Sequence, residues 1–150
     1  MTGGSEALAR AACTGAAEVE ARLVHAGDVT AADMLGADGY LFVFPENLAA
    51  ISGVMKAFFD QLYYPCLGQM EGRAFAVIVC AGSDGRNAVA QAERIATGWR
   101  LKKVAESLIV CTHAQTPEAI LAPKTISAED LQNARDIGAT LAAGLTMGVF

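Results

Sequence analysis

Residues 40–60, with the sequence YLFVFPENLAAISGVMKAFFD, restrict the possible folds more than any other part of the chain. The segment begins with a short apolar run, is interrupted by Pro45 and a polar turn, and continues with apolar residues at a period close to 3.6. This order predicts a buried strand followed by a helix, as at a β-α junction of an open α/β sheet. Ligands in such sheets bind at the carboxyl ends of the strands, so the turn is also a candidate binding site.

Two further apolar runs, at residues 74–81 and 107–112, extend this pattern along the chain. Together with residues 39–44 they are continuous apolar segments, which predicts strands covered on both faces. Residues 18–26 alternate polar and apolar side chains, which predicts a half-exposed edge strand. Alternation of strands with helices predicts a parallel sheet with helices on both faces.

Helices are predicted between these strands from apolar spacing and from capping residues. The expected N-terminal caps share a short polar side chain at the start of an apolar period, and they are Ser5, Thr30, Asn87 and Ser127. The connection over residues 113–126 contains two prolines, and long connections in compact domains are often functional. His113 begins it, directly after a strand end.

Composition fits one ordered domain over residues 1–150. The chain has 53% hydrophobic and 18% charged residues and a net charge of −5, which argues against general binding to nucleic acid or anionic membrane. No apolar run reaches the roughly 18 residues of a membrane span, and no signal peptide is visible. The four cysteines lack metal-ligand spacing, which favours free thiols in a reducing compartment and so a cytoplasmic location.

The N-terminal order is unusual for this kind of fold. The sequence opens with a turn and a helix, whereas the other predicted helices follow strands. A βα unit without its strand explains this order most simply. We therefore expect a strand of about five or six apolar residues upstream of Met1 in the natural protein, since that is the usual strand length.

Three segments resemble the flavodoxin-like FMN proteins, specifically the NAD(P)H-dependent FMN reductase and WrbA-like quinone reductase group. Residues 1–6, MTGGSE, resemble the family's phosphate loop. Residues 45–60 resemble the loop and helix after its third strand, with Lys56 and Asp60 at matching positions. Residues 81–85, AGSDG, resemble the flavin loop after its fourth strand.

This resemblance implies a flavodoxin-like three-layer parallel sheet of order 2-1-3-4-5, with the central first strand missing from this chain. It implies FMN as cofactor, NAD(P)H as electron donor and a homo-oligomer, either a dimer or a tetramer. The implied FMN-binding residues lie in three loops, and they are Thr2, Gly3, Gly4, Ser5, Pro45, Glu46, Asn47, Leu48, Ala49, Gly82, Ser83, Asp84 and Gly85.

Each of these loops also has a purely structural interpretation. Ser5 can be a simple helix cap, Pro45 a strand stop, and Gly82 and Gly85 the corners of a tight turn. Both interpretations can hold at once, because glycine turns allow backbone to approach a ligand closely. The first loop would hold the phosphate at a helix start, and the other two would hold the isoalloxazine.

The sequence leaves several functions open. The first is an oxidoreductase that passes electrons from NAD(P)H to a quinone or similar small acceptor, with the flavin rather than a side chain doing the chemistry. The second is a one-electron carrier, although neither flavin loop contains an aromatic residue. The third is a flavodoxin-like module that no longer binds FMN.

Overall fold

The computed structural model describes residues 2–150, which form six helices and five strands. In chain order these elements are α1 (Gly4–Gly15), α2 (Ala31–Gly36), β1 (Gly39–Asn47), β2 (Ala50–Ile51), α3 (Gly53–Cys66), β3 (Ala74–Ala81), α4 (Arg86–Gly98), β4 (Lys102–Lys103), β5 (Leu108–Cys111), α5 (Pro117–Leu121) and α6 (Ala128–Thr146). Over this range no helix combines the length and the apolar character needed to cross a membrane.

β3 is the centre of the sheet. It runs parallel to β1, in register from Gly39 opposite Ala74 to Pro45 opposite Cys80. Its other edge pairs in parallel with β4 and then β5, which act as two pieces of one interrupted strand. The last three strands of the order implied by the resemblance are therefore adjacent as expected.

Helices cover both faces of this sheet. On one face, α3 and α4 enclose an aromatic cluster in which the ring centroids of Phe59 and Trp99 lie 5.7 Å apart. On the other face, α1 and α6 pack with Leu8 against Ile78 and Val110. The prediction of a parallel sheet between two helical layers is confirmed.

Residues 18–26 do not form the predicted strand. Residues 20–25 have no regular structure, and Leu23 is 47% exposed. A strand is stable only when a neighbour receives its backbone hydrogen bonds, and none of the strands in the described range lies beside this segment. The prediction of a strand was wrong because alternating polar and apolar side chains do not by themselves provide a neighbouring strand to pair with.

The prediction that Pro45 ends the first strand was wrong. The strand continues through Pro45 to Asn47 and then folds back as a hairpin, with Glu46 opposite Ile51 in β2. Proline is tolerated in edge strands because a missing N–H there costs no ladder hydrogen bond. The turn therefore lies at Leu48 and Ala49, after the polar residues Glu46 and Asn47, which belong to the strand.

Candidate binding site at the carboxyl edge of the sheet

The predicted site residues of all three loops gather at the carboxyl edge of the sheet. Gly4 at the start of α1 lies against Cys80, near the end of β3. The hairpin after β1 is bonded to the glycine loop after β3, where the Gly85 N–H donates to Glu46 Oε1 at 3.0 Å. The sequence therefore predicted the members of this cluster, and the fold brings them together.

The start of α1 offers several donors and one unsatisfied hydroxyl. Gly3, with φ of 83°, is the N-cap, so the prediction that Ser5 caps the helix was wrong. Ser5 lies inside the first turn, where its Oγ is buried near the Cys80 thiol and makes no hydrogen bond of normal geometry. The N–H groups of Gly4, Ser5 and Glu6 also lack intrahelical acceptors, because they belong to the first turn. Together these groups suit an anion at the helix N-terminus.

Gly4 allows this helix start to approach the sheet. A Cβ on Gly4 would lie 2.7 Å from Cys80 Sγ and 3.4 Å from Lys124 Cβ. Any larger residue would therefore push α1 away from the end of β3. Burial raises the pKa of the Cys80 thiol, so this group stays neutral beside the helix start.

The tip of the hairpin has an uncommon backbone conformation. Leu48 and Ala49 have φ of 51° and 60°, a region that glycine or asparagine usually occupies in such turns. The Leu48 side chain is fully exposed at 101%. Such outliers persist only where surrounding contacts fix them, and here Asn87 Nδ2 donates to Ala49 O at 2.6 Å. This bond also corrects the prediction that Asn87 caps α4.

Gly85 is the actual N-cap of α4, with φ of 81°. A Cβ on Gly85 would lie 2.7 Å from Ile109 Cγ2 in β5, so both conformation and space require glycine there. Because its N–H is bound to Glu46, the two predicted flavin loops form one connected unit. Beside them, Asp84 pairs with Arg86, which is 83% exposed.

Two segments outside the three predicted loops also lie at the site. After β5, Thr112 Oγ1 donates to Ala81 O at 3.2 Å, and a Cβ on Gly82 would lie 3.5 Å from Ala114 O. His113 between them has φ of 53°. Lys124 N–H donates to Thr2 O at 2.7 Å and holds the first loop in place. The long connection over residues 113–126 was the available signal for both.

The fold and this edge site together define a flavodoxin-like α/β protein. A flavodoxin from the domain Archaea superimposes with a TM-score of 0.77 at 16% identity over 97% of this chain and 93% of that one. A flavodoxin, WrbA-like protein from Agrobacterium tumefaciens gives 0.69 at 21% identity over 97% and 91%.

Sequence comparison assigns the family. The model of the NADPH-dependent FMN reductases matches residues 6–115, which is most of the chain, so the protein belongs to that family. A flavodoxin from Aquifex aeolicus (strain VF5) is 34% identical over 93 residues. That alignment covers 59% of this chain and spans 50% of the relative's length.

Proposed function

We propose that the protein binds FMN at this edge and transfers electrons from NAD(P)H to a quinone or a similar small acceptor. One observation carries the proposal most directly: Ser5 Oγ is buried without a partner at the start of a helix that has free N–H groups. A buried orphan hydroxyl costs free energy unless a ligand satisfies it. A phosphate monoester supplies the oxygen acceptors that this position lacks.

Each loop would have a distinct part in holding FMN. Thr2, Gly3, Gly4 and Ser5 would bind the phosphate through N–H groups and hydroxyls. The hairpin residues Pro45, Glu46, Asn47, Leu48 and Ala49 and the loop residues Gly82, Ser83, Asp84 and Gly85 would hold the ring. Hydride and electron transfer are chemistry that the bound flavin would supply. The protein would orient the ring and shield it with Leu48, and no acid or base side chain is required.

Glu46 would act mainly by positioning. Its Oε1 accepts from the Gly85 N–H, so that donor is already used and is not free for a ligand. The hairpin backbone and the Gly82 N–H would be other donors to the ring. The fixed geometry of these two loops lowers the ordering cost of binding.

Paired titrations of FMN and riboflavin test the phosphate assignment. Ser5→Ala removes the orphan hydroxyl, so we expect unchanged or slightly higher stability of the free protein. FMN should bind roughly ten- to a hundredfold more weakly, since a hydrogen bond to a charged group contributes about 1.5–3 kcal/mol. Riboflavin lacks the phosphate and should bind the variant and the wild type equally. Equal FMN affinities would sink the phosphate assignment, and no FMN binding at all would favour the module without cofactor.

A second experiment separates the enzyme from the one-electron carrier. We expect NADPH or NADH to bleach the yellow absorption of bound FMN, and a quinone to restore it in repeated turnovers. The likeness to flavodoxins favours the carrier as the second candidate. Photoreduction that accumulates a one-electron-reduced flavin, without oxidation of NAD(P)H, would support that alternative.

We further propose that the protein works in the cytoplasm as a homo-oligomer of single-domain subunits, without nucleic-acid or membrane partners. The acidic net charge of −5 supports the last part, because both surfaces would repel it. Exposed apolar side chains on α3, including Val54 and Tyr64, offer a surface for subunit contact. Sedimentation at several concentrations would test the assembly.

A further inference from the structure

The connection between β5 and α6 leaves the candidate site and returns to it. At its start, the Thr112 N–H and Oγ1 both donate to Ala81 O. At its end, a Cβ on Gly4 would lie 3.4 Å from Lys124 Cβ and 2.7 Å from Cys80 Sγ. Both ends therefore lie beside the carboxyl end of β3. Compact surface loops of about 6–16 residues whose ends are close together are frequently functional.

The residues between these ends, 113–123, form what we call the α5 loop. All of them except Ala114 are exposed. The helix α5 lies wholly within the described residues 2–150 and has no buried residue. Its apolar side chains Ile120 and Leu121 are 51% and 77% exposed. Most helices in proteins are stabilised by packing of an apolar face, so a helix this short needs another source of order.

Lys124 supplies that order. Its ammonium donates to Ile120 O at 2.9 Å and Ala122 O at 2.8 Å, and also to Ala119 O. These bonds satisfy carbonyls at the end of α5 that have no acceptor role within the helix. The N–H of the same residue donates to Thr2 O at 2.7 Å. Lys124 therefore fixes α5 relative to the first loop of the site, and a fixed surface binds a ligand at a lower ordering cost.

The α5 loop favours an uncharged ligand. Residues 113–123 contain no Lys or Arg, and Glu118 is their only acidic residue. A lysine ammonium has three N–H groups, and Lys124 donates to three carbonyls, so it has none left for a phosphate. A phosphorylated molecule would find no cation on this loop, whereas an apolar ring would remove Ile120 and Leu121 from water.

The size of this apolar surface argues for a small molecule rather than another protein chain. A stable protein interface buries about 800 Å² on each partner. Two neighbouring side chains on a helix of five residues provide only a small part of that area. A flat molecule of one or two rings has the matching size.

We propose that Ile120 and Leu121 contact a flat, uncharged electron acceptor bound at this edge, and that Lys124 is the positioning residue that holds them there. The inference rests on the proposed function, because it adds acceptor contacts to a site whose other loops would hold FMN. It narrows the acceptor to uncharged ring compounds and assigns their binding to a segment outside the three predicted loops.

Equilibrium dialysis with duroquinone tests the contact. This tetramethyl-1,4-benzoquinone is uncharged, and its fully substituted ring does not add to the free thiols. The double variant Ile120→Ser with Leu121→Ser should raise its Kd roughly tenfold or more, because apolar contacts would supply most of the affinity. The matched control is Met147→Ser, which should leave the Kd unchanged. Met147 is 69% exposed at the far end of the 19-residue helix α6.

Equal Kd values for the wild type and the double variant would overturn the proposal, and so would a wild type that does not bind duroquinone. Circular dichroism checks that each variant is folded, which is expected because the substituted side chains are exposed. The dialysis is made with and without FMN, so it judges the inference even if the flavin does not bind.

Hydrogen exchange of α5 tests the role of Lys124 without any measurement of activity. The Ile120 N–H donates to Thr116 O, and its exchange should slow when duroquinone binds. Lys124→Met should abolish this protection and weaken duroquinone binding, whereas Lys124→Arg keeps donors for the carbonyls and should restore both. Equal protection in Lys124→Met and the wild type would show that Lys124 does not position α5.

An FMN titration separates this inference from the proposed function. No FMN binding by the wild type would refute the proposed function, whereas the double variant should bind FMN as the wild type does. Roughly tenfold weaker FMN binding by the double variant would make the flavin itself the occupant. Protection of α5 that rises with protein concentration alone would make the occupant a second copy. Either of these last two results would overturn the inference.

Discussion

β1 and β3 are neighbouring parallel strands with similar apolar sequences, yet they are buried very differently. All eight residues of β3 are buried. In β1 the side chains facing α3, such as Phe42 and Phe44, are buried, whereas Leu41 and Val43 on the other face are only half-buried. Helices lie over both strands, so the cover on their faces does not explain the contrast.

The difference comes from their edges. β3 has a strand on each side, β1 on one and β4 with β5 on the other. β1 has such a neighbour on one side only along residues 39–44, and its other side faces a cavity. An apolar run therefore predicts that a strand can be buried on both faces, but full burial also requires both lateral neighbours.

The largest expected effect compares the same face of the two strands. Ile78→Ala should lower the free energy of unfolding by about 2–5 kcal/mol, because Ile78 is fully buried and the substitution leaves a cavity. Leu41→Ala should cost about 1 kcal/mol, since Leu41 is only partly buried. Urea denaturation measures both values. A loss at Leu41 as large as at Ile78 would contradict the open edge.

The helices that cover this face offer the next test. A Cβ on Gly138 in α6 would lie 2.0 Å from Ala12 O in α1, so Gly138→Ala must separate the two helices. We expect a loss of about 1–3 kcal/mol in urea denaturation. Gly53→Ala is the control, because its Cβ would meet nothing within 4 Å and should change stability by less than about 0.5 kcal/mol.

The link between the carboxyl ends of β1 and β3 should contribute less. Glu46→Ala leaves the Gly85 N–H without its acceptor, so we expect a loss of about 1 kcal/mol and faster exchange of the Gly85 amide. Glu46→Gln keeps an acceptor oxygen and should retain most of the protection. If both variants exchange alike, the carboxylate bond does not join the two strands.

The smallest effect concerns the second neighbour of β3 and depends on pH. Burial tends to raise the pKa of Glu93, but hydrogen bonds from Ser107 and Lys103 outweigh it and hold the pKa below its usual 4.5. A depressed pKa adds stability above the unfolded value, and this contribution disappears as the pH falls through the folded one.

Between pH 7 and 3, the free energy of unfolding should therefore fall less for Glu93→Gln than for the wild type. Glu106→Gln is the matched control, because Glu106 also pairs with Lys103 but is fully exposed at 101%. An identical fall for the wild type and Glu93→Gln would show that this contact does not tie β4 and β5 to α4.

The sequence alone determined much of the architecture. Continuous apolar runs indicated β1, β3 and β5 because parallel strands between helical layers need apolar side chains on both faces. Thr30 and Ser127 indicated helix starts, and both side chains accept hydrogen bonds from the first turn as predicted. The glycine loops and residues 45–49 indicated a candidate site, because these residue types mark strand ends and turns.

Only the tertiary structure decided which of these local preferences prevailed. Ser5 became an orphan hydroxyl rather than a cap because Gly3 took the left-handed position ahead of it. Residues 18–26 kept their alternation but formed no strand, because strand pairing depends on distant residues that the local pattern does not contain. The local sequence determines which secondary structure a segment can adopt, and long-range contacts determine whether that structure forms.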